Sequence, residues 1–247
     1  TSSSDLSASQ DLTANAYVVE TGTKKVERDG VVLELPTYDA WIEAWTPQDT
    51  LEARSQRDRV PYEEWVKMDY LNAVPGKIIR LDFVAARLAE VQSVFGIKAH
   101  AYDRYAYSKL GDELDLLGLD FPQMEHPQAG IRRAKPHPDL VEEAKRNGKP
   151  APLGLWMPGS VKALEELILE ERIRLRRNPV LFAACMGATV ETDPFDNKWF
   201  SKRKATTRID PLVALAMAVG CATGSEPPAR KQSVYEKRGF LVLGGST

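Results

Sequence analysis

Histidine and cysteine are scarce here: 247 residues hold only His100, His126 and His137, and only Cys185 and Cys221. Two cysteines build neither a disulfide framework nor a four-cysteine zinc site. His126 and His137 have no partner at metal-ligand spacing. Cys185 sits in an apolar run, where a thiol is inert core rather than a nucleophile. The longest unbroken apolar stretch, Leu212 to Val219, falls far short of the ~20 residues of a membrane span. The opening Thr1-Ser2-Ser3-Ser4-Asp5 lacks the basic flank and apolar run of a secretory signal. Gly76-Lys77 and Gly148-Lys149 lack an upstream glycine and are followed by Ile78 and Pro150, so no phosphate-cradling loop for an ATP-driven motor is encoded. G-x-S-x-G is absent too, which removes the common serine-hydrolase elbow. Nor is there an excess of one charge: 33 Lys and Arg against 35 Asp and Glu leave a net charge of −2, so no global field attracts polyanions. These exclusions predict a soluble, cytoplasmic protein whose chemistry comes from carboxylates.

What is present is an ordinary globular composition, 43% hydrophobic and 28% charged, enough for a real core in one large or two small domains. Leu12 to Glu20 and Val31 to Leu35 read as strands of an antiparallel meander, with Pro36 ending the second. Residues 37–60 read as a polar, Trp-containing excursion with some helix over Leu51 to Arg57. A short helix starts at Pro61, and Lys77 to Arg80 reads as a short strand. Asp82 to Phe95 is an amphipathic helix closed by Gly96. Ile97 to Tyr102 alternates as a half-buried strand that delivers Asp103 at its end, and Ala106 to Leu117 follows as a helix. This strand-helix succession suggests an α/β layer. Six prolines between 122 and 155 predict a long surface loop. Ser160 is expected to cap a helix running to Glu171, and Pro179 to Met186 to form a packed helix. A hairpin is expected over 189–201. Asp210 caps a final helix, Pro211 to Val219, with Gly220 beyond its end. The Gly/Pro/Ser-rich stretch 223–247 is a tail by composition.

Three aspartates stand where a carboxylate can do chemistry: Asp5 beside a short leading strand, Asp103 at a strand end, and Asp210 at a helix start. Each also has a plain structural reading as a turn or cap residue. Positive charge is clustered despite the balance, in Arg172, Arg174, Arg176 and Arg177, and in Lys198, Lys202, Arg203, Lys204 and Arg208. Such patches are solvated surface or phosphate contacts. Trp41, Trp45 and Trp65 read as packing anchors rather than base-stacking platforms.

Taken together, the chain resembles the C-terminal nuclease domain of the large terminase subunits of tailed bacteriophages. The resemblance is carried by Asp5-Leu6-Ser7 with Asp11-Leu12-Thr13-Ala14, by Val60-Pro61-Tyr62-x-x-Trp65 and Val74-Pro75-Gly76, and by Ala101-Tyr102-Asp103-Arg104-Tyr105 and Asn178-Pro179-Val180-Leu181. It closes on Val190-x-x-Asp193-x-x-x-Asn197 and Arg208-Ile209-Asp210-Pro211-x-Val213-Ala214-Leu215. The resemblance implies an RNase H-like α/β fold, a mixed sheet flanked by helices, with a C-terminal helix carrying one active-site aspartate. It implies residues 1–222 as the nuclease domain, including the Pro-rich loop 122–155 and a basic hairpin 189–208, then a tail at 223–247, with the ATPase domain absent. It also implies that Asp5, Asp103 and Asp210 are the catalytic residues and hold two Mg²⁺ or Mn²⁺ ions for phosphodiester hydrolysis. Asp11 and Asp193 match the pattern but read as turn residues. Departing from the family, polar Thr1 to Ser4 precede Asp5 where apolar residues are expected.

The implied activity is cleavage of concatemeric viral DNA during packaging, in the host cytoplasm and away from any membrane. Lys198, Lys202, Arg203, Lys204 and Arg208 would hold the duplex. The motor ATPase domain, the small terminase subunit and the portal would be partners. Two rivals stand beside this: a non-catalytic module docking DNA or portal, and another RNase H-like nuclease of resolvase or transposase type.

Overall fold

A computed structural model describes residues 1–7, 12–104, 107–130, 132–151 and 153–224. Seven strands form the central sheet: β1 (Ser2–Asp5), β2 (Thr13–Arg28), β3 (Val31–Pro47), β4 (Asn72–Val74), β5 (His100–Tyr102), β6 (Gln123–Glu125) and β7 (Ile173–Leu175). Their order is β4-β3-β2-β1-β5-β6, with β7 also paired to β3. β1, β2 and β3 form the antiparallel meander. β5 lies parallel to β1 and β6 to β5, while β4 and β7 run parallel to β3. The sheet is therefore mixed, and β1, β5 and β6 end at one common edge, the place where open α/β sheets hold ligands.

Helices cover both faces. On one side α6 (Met157–Leu169), α7 (Pro179–Gly187) and α8 (Asp210–Gly224) share an apolar core with Ala14, Ala16, Ala40, Ala44, Ala99 and Ala101 of the sheet. On the other, α3 (Leu81–Phe95) and α4 (Tyr107–Leu116) pack around Tyr17, Trp45 and Val74. Every residue of α8 from Asp210 to Cys221 is buried, as expected of a helix apolar on all sides. Small α1 (Leu51–Asp58), α2 (Tyr62–Lys67) and α5 (Pro138–Arg146), a 3-10 turn at Gln48–Thr50, and a hairpin of β8 (Val190–Thr192) and β9 (Lys198–Phe200) complete the described elements. Among the described residues no helix is long and apolar enough to cross a membrane.

Several local expectations are corrected. Pro36 does not end a strand, because β3 continues to Pro47. Tyr38 N donates outward to Arg172 O at 2.8 Å, so Pro36, two residues earlier, turns its nitrogen to the same side. It lies beyond the Tyr38–Ala40 stretch that β7 pairs, and its missing N–H costs no ladder bond. Residues 38–44 are thus strand rather than excursion, burying Tyr38, Ala40, Ile42 and Ala44 on one face.

Lys77 to Arg80 forms no strand; the strand lies earlier, at Asn72–Val74. The Pro-rich 122–155 stretch contains β6 and α5, whose first residue is Pro138, where proline is tolerated. β5 is buried on both faces, since His100 is as enclosed as Ala99 and Ala101. Ser160 lies inside α6 rather than at its cap, and its hydroxyl meets His126 Nε2 at 2.7 Å. Gly220 lies within α8, not beyond it: a Cβ there would stand 1.8 Å from Ser160 Oγ. Residues 105–106, Asp11 and the tail from 225 onward lie outside the described residues.

Candidate active site at the sheet edge

The central strand β1 is built of serines. Ser2, Ser3 and Ser4 are at most 1% exposed, and buried hydroxyls require partners. All three have one: Ser2 Oγ meets His100 Nδ1 at 2.9 Å, Ser3 Oγ donates to Ala214 O at 2.6 Å, and Ser4 Oγ donates to Asn15 Oδ1 at 2.6 Å. The strand is thereby tied to β5, α8 and β2 at once, which fixes the position of Asp5 at its end. The polar run that departs from the family pattern is accommodated by hydrogen bonds where apolar side chains would otherwise pack.

Asp5 is 2% exposed and Asp210, the first residue of α8, 7%. A carboxylate at a helix start is favoured by the peptide dipoles. One ammonium joins the two. Lys202 Nζ lies 2.7 Å from Asp5 Oδ2, 2.8 Å from Asp5 Oδ1 and 3.1 Å from Asp210 Oδ1. Gln128 Nε2 donates to Asp5 Oδ1 at 2.8 Å, so among the described residues Oδ2 faces the Lys202 ammonium alone. Burial pushes the Asp210 carboxyl up; Lys202 pulls it back and Asp5 adds to the rise, leaving it well above the ordinary aspartate value. Burial alone would lower the Lys202 ammonium, but the Asp5 and Asp210 charges outweigh it and hold it above the usual lysine value.

Asp103 follows β5 directly. Ser4 pairs with Tyr102 across the parallel β1–β5 ladder, so Asp5 and Asp103 leave the sheet at adjacent positions. The Asp103 residue is half-buried. Among the described residues no three His, Cys, Asp or Glu side chains gather closely enough to hold a metal. The structure thus brings the Asp5 and Asp210 carboxylates together on Lys202, while Asp103 shares only the adjacent strand end and completes no three-carboxylate cluster with them. Hard oxygen donors and a cationic group already seated between two carboxylates suit a hard divalent cation such as Mg²⁺ or Mn²⁺.

The basic residues fall into distinct groups. Lys198 pairs with Glu165 at 3.7 Å, Lys204 with Glu191 at 3.3 Å and Arg208 with Asp58 at 3.7 Å. Arg203 is exposed on the turn after β9, and Lys202 points inward to the aspartates. In the other cluster, Arg172 is buried, bonded to Glu170 at 2.7 Å and to Pro36 O at 2.9 Å. Arg174 pairs with Asp39 at 2.6 Å. These two brace β7 against β3, and only Arg176 and Arg177 extend past it, both exposed. Asp193 shapes the hairpin turn, its Oδ1 accepting from Phe195 N at 2.8 Å and Asn197 N at 2.9 Å. Trp45 and Trp65 are buried, and Trp41 stacks on Tyr17 with 5.0 Å between ring centres, so all three act as packing anchors. Sequence reasoning missed Gln128, which lies in the Pro-rich stretch without any motif, and missed the inward course of Lys202.

A family model described as terminase large subunit, endonuclease domain, matches residues 155–226, the stretch with α6, the hairpin, Lys202 and Asp210. The terminase large subunit of Enterobacteria phage HK97 is 34% identical over 220 residues, covering 89% of this chain and 36% of that protein. The crystal structure of the HK97 bacteriophage large terminase matches with TM-score 0.67 at 33% identity, over 89% of this chain and 38% of that chain. The large terminase nuclease from thermophilic phage G20c with bound magnesium matches at 11% identity and TM-score 0.42, over 88% of this chain and 78% of that one. That likeness is too distant to carry an argument. The chain spans little more than a third of the length of the HK97 protein.

Proposed function

We propose that this chain, which belongs to the nuclease domains of phage terminase large subunits, is a metal-dependent endodeoxyribonuclease of RNase H-like architecture. In this reading it cuts concatemeric phage DNA during packaging by two-metal phosphodiester hydrolysis. The observation that carries it is the convergence of two buried carboxylates from distant elements, Asp5 and Asp210, at the edge where parallel strands end.

Asp5 and Asp210, with Asp103 at the adjacent strand end, are the residues that would hold Mg²⁺ or Mn²⁺. Bound there, such ions supply the charge that activates water and stabilises the leaving 3′ oxygen. The serine hydrogen bonds of β1 and the enclosure of α8 hold Asp5 and Asp210 rigid, so little reorganisation is required. Gln128 orients Asp5 through its 2.8 Å bond.

Arg203, Lys198 and Lys204 on the hairpin rim receive the phosphates, with Arg208 at its foot. The present ion pairs of Lys198 and Lys204 lie at the surface, contribute little and can be replaced by phosphates. No base-reading module is apparent in the sequence, so low sequence preference is expected. The motor ATPase domain, small terminase subunit and portal are partners of the whole protein in this reading.

Plasmid cleavage with Mg²⁺, Mn²⁺ or EDTA, run beside Asp103→Ala and Asp210→Ala, tests it. Metal-dependent nicking and linearisation, lost in both variants while each remains folded, is the expected result. A wild type inert with either metal, or variants that cut equally well, would refute it and favour a non-catalytic docking module. Preference for branched DNA would instead indicate a resolvase-like enzyme.

A further inference from the structure

Lys202 is one residue of the basic hairpin region that the DNA-holding role does not absorb. Its stem crosses the surface, with the side chain 41% exposed, yet its ammonium ends against Asp5, which is 2% exposed, and against Asp210. It belongs to the turn that follows β9, closed by Lys204 N and Ala205 N on Ser201 O at 3.2 and 3.0 Å. This turn lies between the hairpin and α8, so the same few residues connect the phosphate-facing rim to the carboxylates.

Two cations compete for these oxygens. The ammonium nitrogen stands 2.7 to 3.1 Å from both oxygens of Asp5 and from Asp210 Oδ1. Mg²⁺ would need lone pairs of the same carboxylates at ~2.0–2.1 Å. A divalent ion there would face a like charge at contact distance in a partly desolvated site, where repulsion is strong. Without any cation, two buried carboxylates would face each other unpaired.

We propose that Lys202 is an internal counter-ion that occupies the divalent-cation position in the metal-free protein and is displaced when metal binds. The displaced ammonium then becomes available to phosphate at the rim, so metal loading and DNA engagement are coupled through one side chain. This rests on the reading of Asp5 and Asp210 as metal ligands. Lys202 acts as a positioning residue: it holds the carboxylates in place until metal replaces it.

The test combines a measurement on the wild type with one on a variant. Lysine acylation with acetic anhydride, followed by mass spectrometry, is performed in EDTA and at saturating Mn²⁺, with exposed Lys77 as the internal comparator. Lys202 is expected to be protected in EDTA and to react several-fold faster with Mn²⁺, while Lys77 does not change. By calorimetric titration, Lys202→Met, which keeps an aliphatic stem, is expected to bind Mn²⁺ about tenfold more tightly, because no competing charge must leave. Thermal melts should show this variant weakened in EDTA and recovered by Mn²⁺ more than the wild type. If the wild type binds Mn²⁺ with no change at Lys202, or Lys202→Met binds no more tightly, the counter-ion role is overturned and the metal site stands. If neither protein binds Mn²⁺, both are overturned.

Discussion

Replacing Gly220 by alanine tests the packing that places Asp210. In an open helix the substitution would stabilise, since glycine in a helix interior costs ~1 kcal/mol relative to alanine. Here the new Cβ would stand 1.8 Å from Ser160 Oγ, 2.7 Å from Ser160 Cβ and 3.3 Å from His126 Nε2. Either α6 moves off α8, or Ser160 turns away and breaks its 2.7 Å bond to His126. Overpacking of this kind costs ~1–3 kcal/mol, and an unsatisfied buried polar group costs ~1–3 kcal/mol. With both costs near ~2 kcal/mol and the helix gain near ~1 kcal/mol, Gly220→Ala should lose about 3 kcal/mol, with a fall in Tm of roughly 6–12 °C. Urea denaturation followed by tryptophan fluorescence measures the loss directly. Adding Ser160→Ala should recover only part of it, because the Cβ contact remains. A Gly220→Ala protein as stable as the wild type, or more so, would refute the close α6–α8 approach, and with it the rigid placement of Asp210.

Three further outcomes follow from the same structure. Burial holds His100 down at about 3 and His126 at about 4, against ~6.5 unfolded, so below pH 6.5 the unfolded chain binds more protons and stability falls. From pH 7.5 to 5.5 these two histidines should cost about 3 kcal/mol, offset in part by the raised carboxyl of Asp210, and urea melts at the two pH values should show a net loss; equal stability would contradict the burial. Arg172→Ala should cost about 1–3 kcal/mol, because Pro36 O loses its side-chain donor and Glu170 is left with Arg28, while exposed Arg174→Ala should have little effect; equal effects in thermal melts would refute the division of that arginine cluster. Arg203→Ala should weaken duplex binding at every sequence and reduce the slope of log K against log salt by about 1, and an unchanged slope in an electrophoretic mobility series would remove Arg203 from the DNA path.

The sequence made much of the frame legible wherever a local signal coincided with the tertiary outcome. The leading meander, the Asp82 to Phe95 helix, the hairpin around Asp193 and the helix starting at Asp210 all carry periodicity or turn chemistry strong enough to stand alone. Failures occurred where tertiary contacts reversed a local signal. Pro36 reads as a strand end unless its nitrogen is known to face an unpaired edge. Gly220 reads as a helix end unless Ser160 is known to stand against it. Ser160 reads as a cap, yet its hydroxyl serves His126.

The candidate site was legible for the same reason and only to the same depth. Asp103 and Asp210 sit at a strand end and a helix start, so pattern alone marks their positions. Asp5 had no such mark, because Ser2 to Ser4 lack the apolar signature of a central strand; their burial is made possible by partners on β5, α8 and β2 that no local window contains. Lys202 is the opposite case: its position was marked, but as one charge among five, and charge clustering says nothing about which member turns inward. A cluster of like charges beside a buried acidic pair cannot stay uniform, because the unpaired carboxylates draw in the cation whose stem reaches them. The division of the hairpin into one inward lysine and several outward cations therefore follows from the burial of Asp5 and Asp210, and it makes the electrostatics of the site inseparable from those of the surface that would receive DNA.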